Sequence, residues 1–190
     1  CQQALVPGKT FEERFDFLEA SGYDRVEISG GNWEWFEKNA DAMAAAIKGR
    51  KLQFSVTCIG ARGNAGMADP VERRAVIDTT KSILENASRL KAVGSIMCPA
   101  RKKIDLPFPE LRDRFLSEIL PEIMAHGEKC GACVVLEPLN RTETMFLRQV
   151  ADGAAIARDA KSPAIGVMGD FWHMTAEETS DMGAFLSAGT

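Results

Sequence analysis

The sequence predicts an α/β protein assembled from successive strand–helix units, and three observations predict it. Short apolar runs alternate with amphipathic stretches in repeats of roughly 30 residues. The two clearest runs, Val134-Val135-Leu136 and Ile165-Gly166-Val167-Met168, each lead into a carboxylate, Glu137 and Asp170. A run of this length bounded by turn residues reads as a strand buried on both faces, and the amphipathic segment between the two makes them a βαβ unit. Six such units fit either an open doubly wound sheet or most of an eight-unit barrel. No phosphate-binding glycine fingerprint follows the first strand, which tells against a dinucleotide-binding sheet.

Taken in order, Cys1 to Leu5 reads as the end of a first strand. With no initiating methionine, a trimmed N-terminus is preferred to a processed lipoprotein cysteine. Thr10 and Glu13 have the spacing of a capping box, which satisfies free amides where a helix begins, and Gly22 ends that helix. Arg25 to Ser29 is the second strand. Gly30-Gly31-Asn32 turns the chain into a helix from Trp33 to Ile47, whose Trp33, Trp35 and Phe36 fit a pocket wall as well as they fit packing. Leu52 to Ile59 is the third strand, and the loop Gly60 to Gly66 matches neither a P-loop nor a dinucleotide fingerprint. Asp69-Pro70-Val71-Glu72 opens a helix to about Ala92 with an N-cap, a first-turn proline and a first-turn acid. Val93 to Cys98 is the fourth strand, followed by the cations Arg101-Lys102-Lys103. A helix from Pro107 to Lys129 is bent or divided by Pro121. Val134 to Glu137 is the fifth strand, Thr144 to Ala160 a helix, and Ile165 to Asp170 the sixth strand. Thr175 and Glu178 form another capping-box pattern, which starts a final helix.

Composition bounds the functions. The chain has 190 residues, 45% of them hydrophobic and 26% charged, with a net charge of -4. That is one α/β-sized globular domain over residues 1–190 with ample core, and no segment has the length and apolarity of a membrane span or the pattern of a signal peptide. A cytoplasmic location is expected, or a periplasmic one if a leader has been removed. The acid excess gives no support to a nucleic-acid surface, which concentrates positive charge. Five cysteines, an odd number spread along the chain, do not make a disulfide framework. Cys1, Cys58, Cys98 and Cys133 lie in or beside apolar runs, where a thiol packs as a small hydrophobe. Cys130-Gly131-Ala132-Cys133 closes a helix rather than opening one, so the redox arrangement is absent, and no second pair completes a zinc site.

The chemistry concentrates at two predicted strand ends. Glu137 is followed by Asn140, Arg141 and Glu143, and Asp170 by His173. The carboxyl ends of parallel strands are where ligands bind in such sheets and barrels. Like charges placed together are costly unless a cation or a proton holds them. The pattern therefore indicates a divalent metal or a shared proton.

Leu136-Glu137-Pro138-Leu139-Asn140-Arg141 with Glu143, together with Gly169-Asp170-Phe171-Trp172-His173-Met174, resembles the xylose isomerase-like TIM-barrel superfamily, in its sugar epimerase and isomerase branch that includes ketose 3-epimerases. The resemblance covers nearly the whole chain. It implies a (β/α)8 barrel of which about six units are present, the C-terminal ones missing. It implies that Glu137 binds a divalent metal and acts as acid/base, that Asp170 is a second metal ligand, and that Glu143 and His173 contact substrate hydroxyls. Glu27 matches a second-strand acid often found at the site.

The implied activity is a metal-dependent isomerase or epimerase acting on a ketose or related hydroxycarbonyl compound, free or phosphorylated, by proton transfer through an enediolate. Oxygen ligands favour Mn²⁺, with Mg²⁺, Co²⁺ or Zn²⁺ as further candidates. The family completes its metal site with a histidine and a glutamate from two later strands, so this stretch alone is expected to be inactive. His126, on a helix, does not substitute for them. The alternatives are a non-catalytic sugar-binding barrel, a hydroxypyruvate isomerase or dehydratase, and an apurinic endonuclease-like hydrolase, which needs more than two histidines and a basic groove. No membrane or nucleic-acid partner is expected; the sequence does not show the oligomer, and the resemblance leaves a homodimer open, since members of the family commonly pair.

Overall fold

The computed structural model describes residues 1–63, 68–101 and 104–189. Five strands, β1 (Arg25–Asn32), β2 (Gln53–Gly60), β3 (Gly94–Met97), β4 (Cys133–Leu136) and β5 (Ile165–Val167), form one sheet in the order β1-β2-β3-β4-β5. Every pairing is parallel. Each strand thus lies beside the one before it. A doubly wound sheet reverses its strand order at a switch point, so this order belongs to a barrel wall.

The expected first strand is reduced to a single bridge. Gln2 pairs in parallel with Glu27, the Glu27 amide donates to the Cys1 carbonyl at 2.9 Å, and Gln3–Leu5 is one tight helical turn. Gln3 explains the difference: its buried side chain reaches the Ser29 carbonyl and accepts from Arg14 at 2.7 Å, and the chain rolls over to place it there.

The helices follow the strands. They are α1 (Phe11–Ala20), α2 (Trp33–Ile47), α3 (Pro70–Arg89), α4 (Phe108–Arg114), α5 (Leu120–Cys130), α6 (Val150–Ala160), α7 (Phe171–Glu177) and α8 (Asp181–Gly189). Their local signals hold. Thr10 accepts from the Glu13 amide, Glu13 accepts from the Lys9 amide, and Asp69 accepts from the Val71 amide with Pro70 in the first turn. The long helix expected from Pro107 to Lys129 is divided at Phe115–Ile119, where a wide turn precedes Pro121 and hands the chain to α5. Proline lacks the amide that would continue the ladder, which places the division just before it. Thr144 to Gln149 is irregular rather than helical, because the Thr144 hydroxyl is drawn to the Ala100 carbonyl at 3.0 Å.

Two apolar clusters lie between sheet and helices. Phe15, Leu18, Val26, Ile28, Phe36, Met43 and Phe54 fill one, while Leu84, Leu111, Phe115, Leu120, Ile123, Val134 and Leu136 fill the other. Gly94 is obligatory where β3 meets β4, since a Cβ there falls 1.7 Å from the Cys133 carbonyl oxygen.

Candidate functional site

The C-terminal edge of the sheet gathers the acidic residues. The Glu137 amide donates to the Met97 carbonyl at 3.1 Å, so this glutamate stands directly beyond β4. The Met168 amide donates to the Leu136 carbonyl at 2.9 Å and carries the ladder to within two residues of Asp170. Asp170 caps α7, one carboxylate oxygen accepting from the Trp172 amide at 2.8 Å. The helix expected from the Thr175 capping-box pattern is therefore replaced by two: α7 begins at Phe171, with Thr175 inside it and its hydroxyl donating to the Phe171 carbonyl at 2.7 Å, and α8 follows from Asp181. The earlier start puts His173 on the first turn, over the site.

Glu137, Asp170 and His173 each place a polar atom within 4.8 Å of the other two. An ion binds oxygen at about 2.0–2.6 Å, so a pair of carboxylate oxygens at this spacing fits a single divalent cation. Distance alone makes all three residues candidate ligands, but hydrogen bonding divides them. His173 is buried, and its Nδ1 accepts from the Asn140 main-chain amide at 3.2 Å. A neutral ring that accepts at Nδ1 carries its proton on Nε2 and presents a donor, not a lone pair, on its far side. The two carboxylates fit a cation; the imidazole fits an oxygen acceptor.

Asn140 ties the loop together. Its Oδ1 accepts from the Thr142 amide at 3.0 Å, which fixes the orientation of the side-chain amide. Nδ2 then faces Glu143 Oε1 at 3.1 Å and His173 Nδ1 at 2.9 Å. Glu143 also accepts from Arg101 at 3.1 Å, and Arg141 is clamped by Glu177 through its main-chain amide and guanidinium. That guanidinium holds the Glu177 carboxyl below the ordinary range. The structure thus brings Glu137, Asp170, Glu143 and His173 to one place. His126 lies on α5 and meets Glu85 at 3.0 Å, away from them.

Glu27, on β1, belongs to the same field. Burial raises its carboxyl above the ordinary value, Gln2 donating at 2.8 Å opposes this, and the charges of Glu137 and Asp170 raise it further. Two cysteines read as small core hydrophobes line the same space. Cys98 donates its thiol to Glu137 Oε2 at 3.1 Å, and burial, then Glu137, drive its pKa well up. Burial, then Glu27 and Glu137, push the Cys58 thiol up to about 11. Nothing in the spacing of these thiols signalled the contact, because it arises between separate strands. Arg62 is held through its amide by Thr79 at 3.0 Å; Asn64, Ala65 and Gly66 of its glycine-rich loop, and Lys102 and Lys103 of the basic run, lie outside the described residues.

The sequence profile of the xylose isomerase-like TIM barrel family matches residues 15–188, and the chain belongs to that family. The chain is 26% identical over 186 residues to the 3-dehydro-D-guloside 4-epimerase of Escherichia coli K12, covering 93% of this chain and 69% of that protein. The crystal structure of the apo 3-keto-D-glucoside 4-epimerase YcjR of E. coli superposes with a TM-score of 0.87 at 23% identity, over 99% of this chain and 73% of that one. The D-psicose 3-epimerase of Clostridium cellulolyticum H10, solved with D-tagatose, gives 0.80 at 20% identity, over 96% and 65%. Among the described residues, no helix is long and apolar enough to cross a membrane.

Proposed function

We propose that this chain carries the greater part of the active site of a divalent-metal-dependent sugar epimerase or isomerase. The observation that carries the reading is the convergence of Glu137 and Asp170 beside a histidine whose Nδ1 is already occupied by Asn140. The relatives named above differ in substrate but share one chemistry. A 4-epimerase of a 3-keto sugar and a 3-epimerase of a 2-ketose each invert the carbon next to the carbonyl, which requires loss and return of the proton on that carbon.

Glu137 and Asp170 are the residues that hold the ion, and their oxygen donors suit Mn²⁺ or Mg²⁺. When bound, such an ion supplies Lewis-acid polarisation of the substrate carbonyl and so acidifies the adjacent C–H bond. Glu137 is the acid/base on one face of the sugar, its Oε2 steadied by the Cys98 thiol. His173 donates through Nε2 to a substrate oxygen. Glu143, oriented by Asn140 and Arg101, accepts from a hydroxyl. Inversion needs a second acid/base on the opposite face, which the rest of a complete barrel would contribute. The substrate is a small sugar or sugar phosphate, and pairing of two copies follows the family.

The test is metal analysis of the full-length protein together with Mn²⁺-dependent epimerisation of a panel of ketoses and keto-glycosides, with Glu137→Gln beside the parent. Turnover that needs the ion and falls by at least about 100-fold in the variant is expected. Turnover unaffected by chelation, or retained by the variant, refutes the assignment.

A further inference from the structure

We infer that a slot between β2 and β3 seats an apolar substituent of the sugar, so that the substrate is a keto-glycoside with a hydrophobic aglycone rather than a free ketose. This deepens the epimerase reading and rests on it. β2 and β3 share a single register pair, Thr57 with Ser95. Hydroxyls add to the main-chain pairing at that point: Thr57 Oγ1 donates to the Gly94 carbonyl and Ser95 Oγ to the Thr57 carbonyl, both at 3.3 Å. β3, by contrast, pairs with β4 along its whole length. Beyond Thr57 and Ser95 no further register pair joins the two strands among the described residues, and residues of both line a cavity of ≈ 370 Å³. That size falls within the roughly 300–1,000 Å³ of small-molecule sites.

The lining decides what it accepts. Ile59, Val76, Ile83, Ile96 and Met97 line it beside Thr80, Ser95 and Arg101, and Val76, Thr80 and Ile83 belong to α3, so the slot reaches the helix layer. Cys58 and Cys98 stand in the same wall, where a thiol packs as apolar surface. Cys98 is also the residue in contact with Glu137, so the slot adjoins the carboxylates. A free ketose carries an oxygen on every carbon. Of the polar side chains in this wall, Thr80 alone lacks a partner among the described residues, so most hydroxyls set there would lose their water partners without replacement. The sugar ring therefore belongs on the side of Glu137, Glu143 and His173, and the slot takes the part of the ligand that lacks hydroxyls. Arg101, shared by the cavity and the Glu143 pair, marks the junction.

Calorimetric binding of methyl and phenyl 3-keto-D-glucosides to the full-length protein tests this without relying on turnover. The phenyl glycoside is expected to bind on the order of 30-fold more tightly, as burial of a six-carbon ring requires. Ala61→Phe, an exposed position on the cavity wall, and Val76→Phe, from the helix side, are expected to abolish that preference while leaving methyl-glycoside affinity unchanged. Circular dichroism establishes that each variant is folded. Equal affinity for the two glycosides in the parent, or a preference that survives in the folded filled variants, overturns the slot and leaves the epimerase reading intact. Failure of both glycosides to bind overturns both.

Discussion

Asn140→Asp is the most informative single change at the site, because it replaces one donor with an acceptor and leaves the shape alone. In the parent, Nδ2 lies 3.1 Å from Glu143 Oε1 and 2.9 Å from His173 Nδ1. Oδ1 stays occupied by the Thr142 amide and hydroxyl, so the new carboxylate keeps the original orientation and its second oxygen meets Glu143. Two unit charges 3.1 Å apart repel by about 5 kcal/mol at an effective dielectric of 20, and less because Glu143 is partly exposed. The nearest relief is a proton on His173 Nδ1, which then donates where it formerly accepted.

Nitrogen-15 NMR of the imidazoles reads this directly, since the other histidine of these 190 residues, His126, lies away from the site on α5. The parent is expected to show His173 as the Nε2–H tautomer, and the variant to show the proton on Nδ1. Substrate affinity is expected to fall at least about tenfold as Glu143 is displaced, and denaturant stability by about 1–3 kcal/mol. A parent His173 protonated on Nδ1 would refute the division of the site into carboxylate ligands and an imidazole donor, and so would an unchanged tautomer in the variant.

Three further outcomes concern the scaffold. Thr80 Oγ1 is buried and has no hydrogen-bond partner among the described residues, so Thr80→Val is expected to stabilise by about 1 kcal/mol, read as a rise of roughly 2–4 °C in Tm; destabilisation would show that a partner had been overlooked. Burial, opposed by the Gln149 main chain and then by Arg148, raises the Asp152 carboxyl. A folded state that holds this proton more tightly than the unfolded chain loses stability as pH rises from the ordinary carboxylate range through the raised value. Asp152→Asn is therefore expected to move the urea midpoint upward at pH 7 but not at pH 3, and a shift of equal size at both would refute burial as the cause. Gly94→Ala drives a methyl group into the Cys133 carbonyl across the β3–β4 rungs and is expected to cost at least about 3 kcal/mol or to prevent folding, as circular dichroism of the purified variant would show.

The amino-acid sequence by itself determined whatever depends on near neighbours. Apolar runs bounded by turn residues marked the strands from Arg25 onward. Thr10 with Glu13, and Asp69 with Pro70, marked helix starts that the structure keeps, because a cap and the amides it satisfies lie within four residues of each other. The two carboxylates at the strand ends were legible for the same reason, and the family followed from their motifs. Local signals misled where another group, distant for Gln3 and Thr144 and a competing nearby cap for Asp170, prevailed over them. Gln3 bends the expected first strand, Asp170 starts a helix ahead of the Thr175 pattern, and Ala100 draws Thr144 out of the expected helix.

Only the tertiary structure decided that the strands lie in sequential order, that Asn140 dictates which face of His173 carries its proton, and that Cys98 touches Glu137. It alone opened the slot between β2 and β3. Each of these joins residues tens of positions apart, brought together by the packing of whole strands and helices. Their meeting is a property of that packing, and no spacing along the chain encodes it.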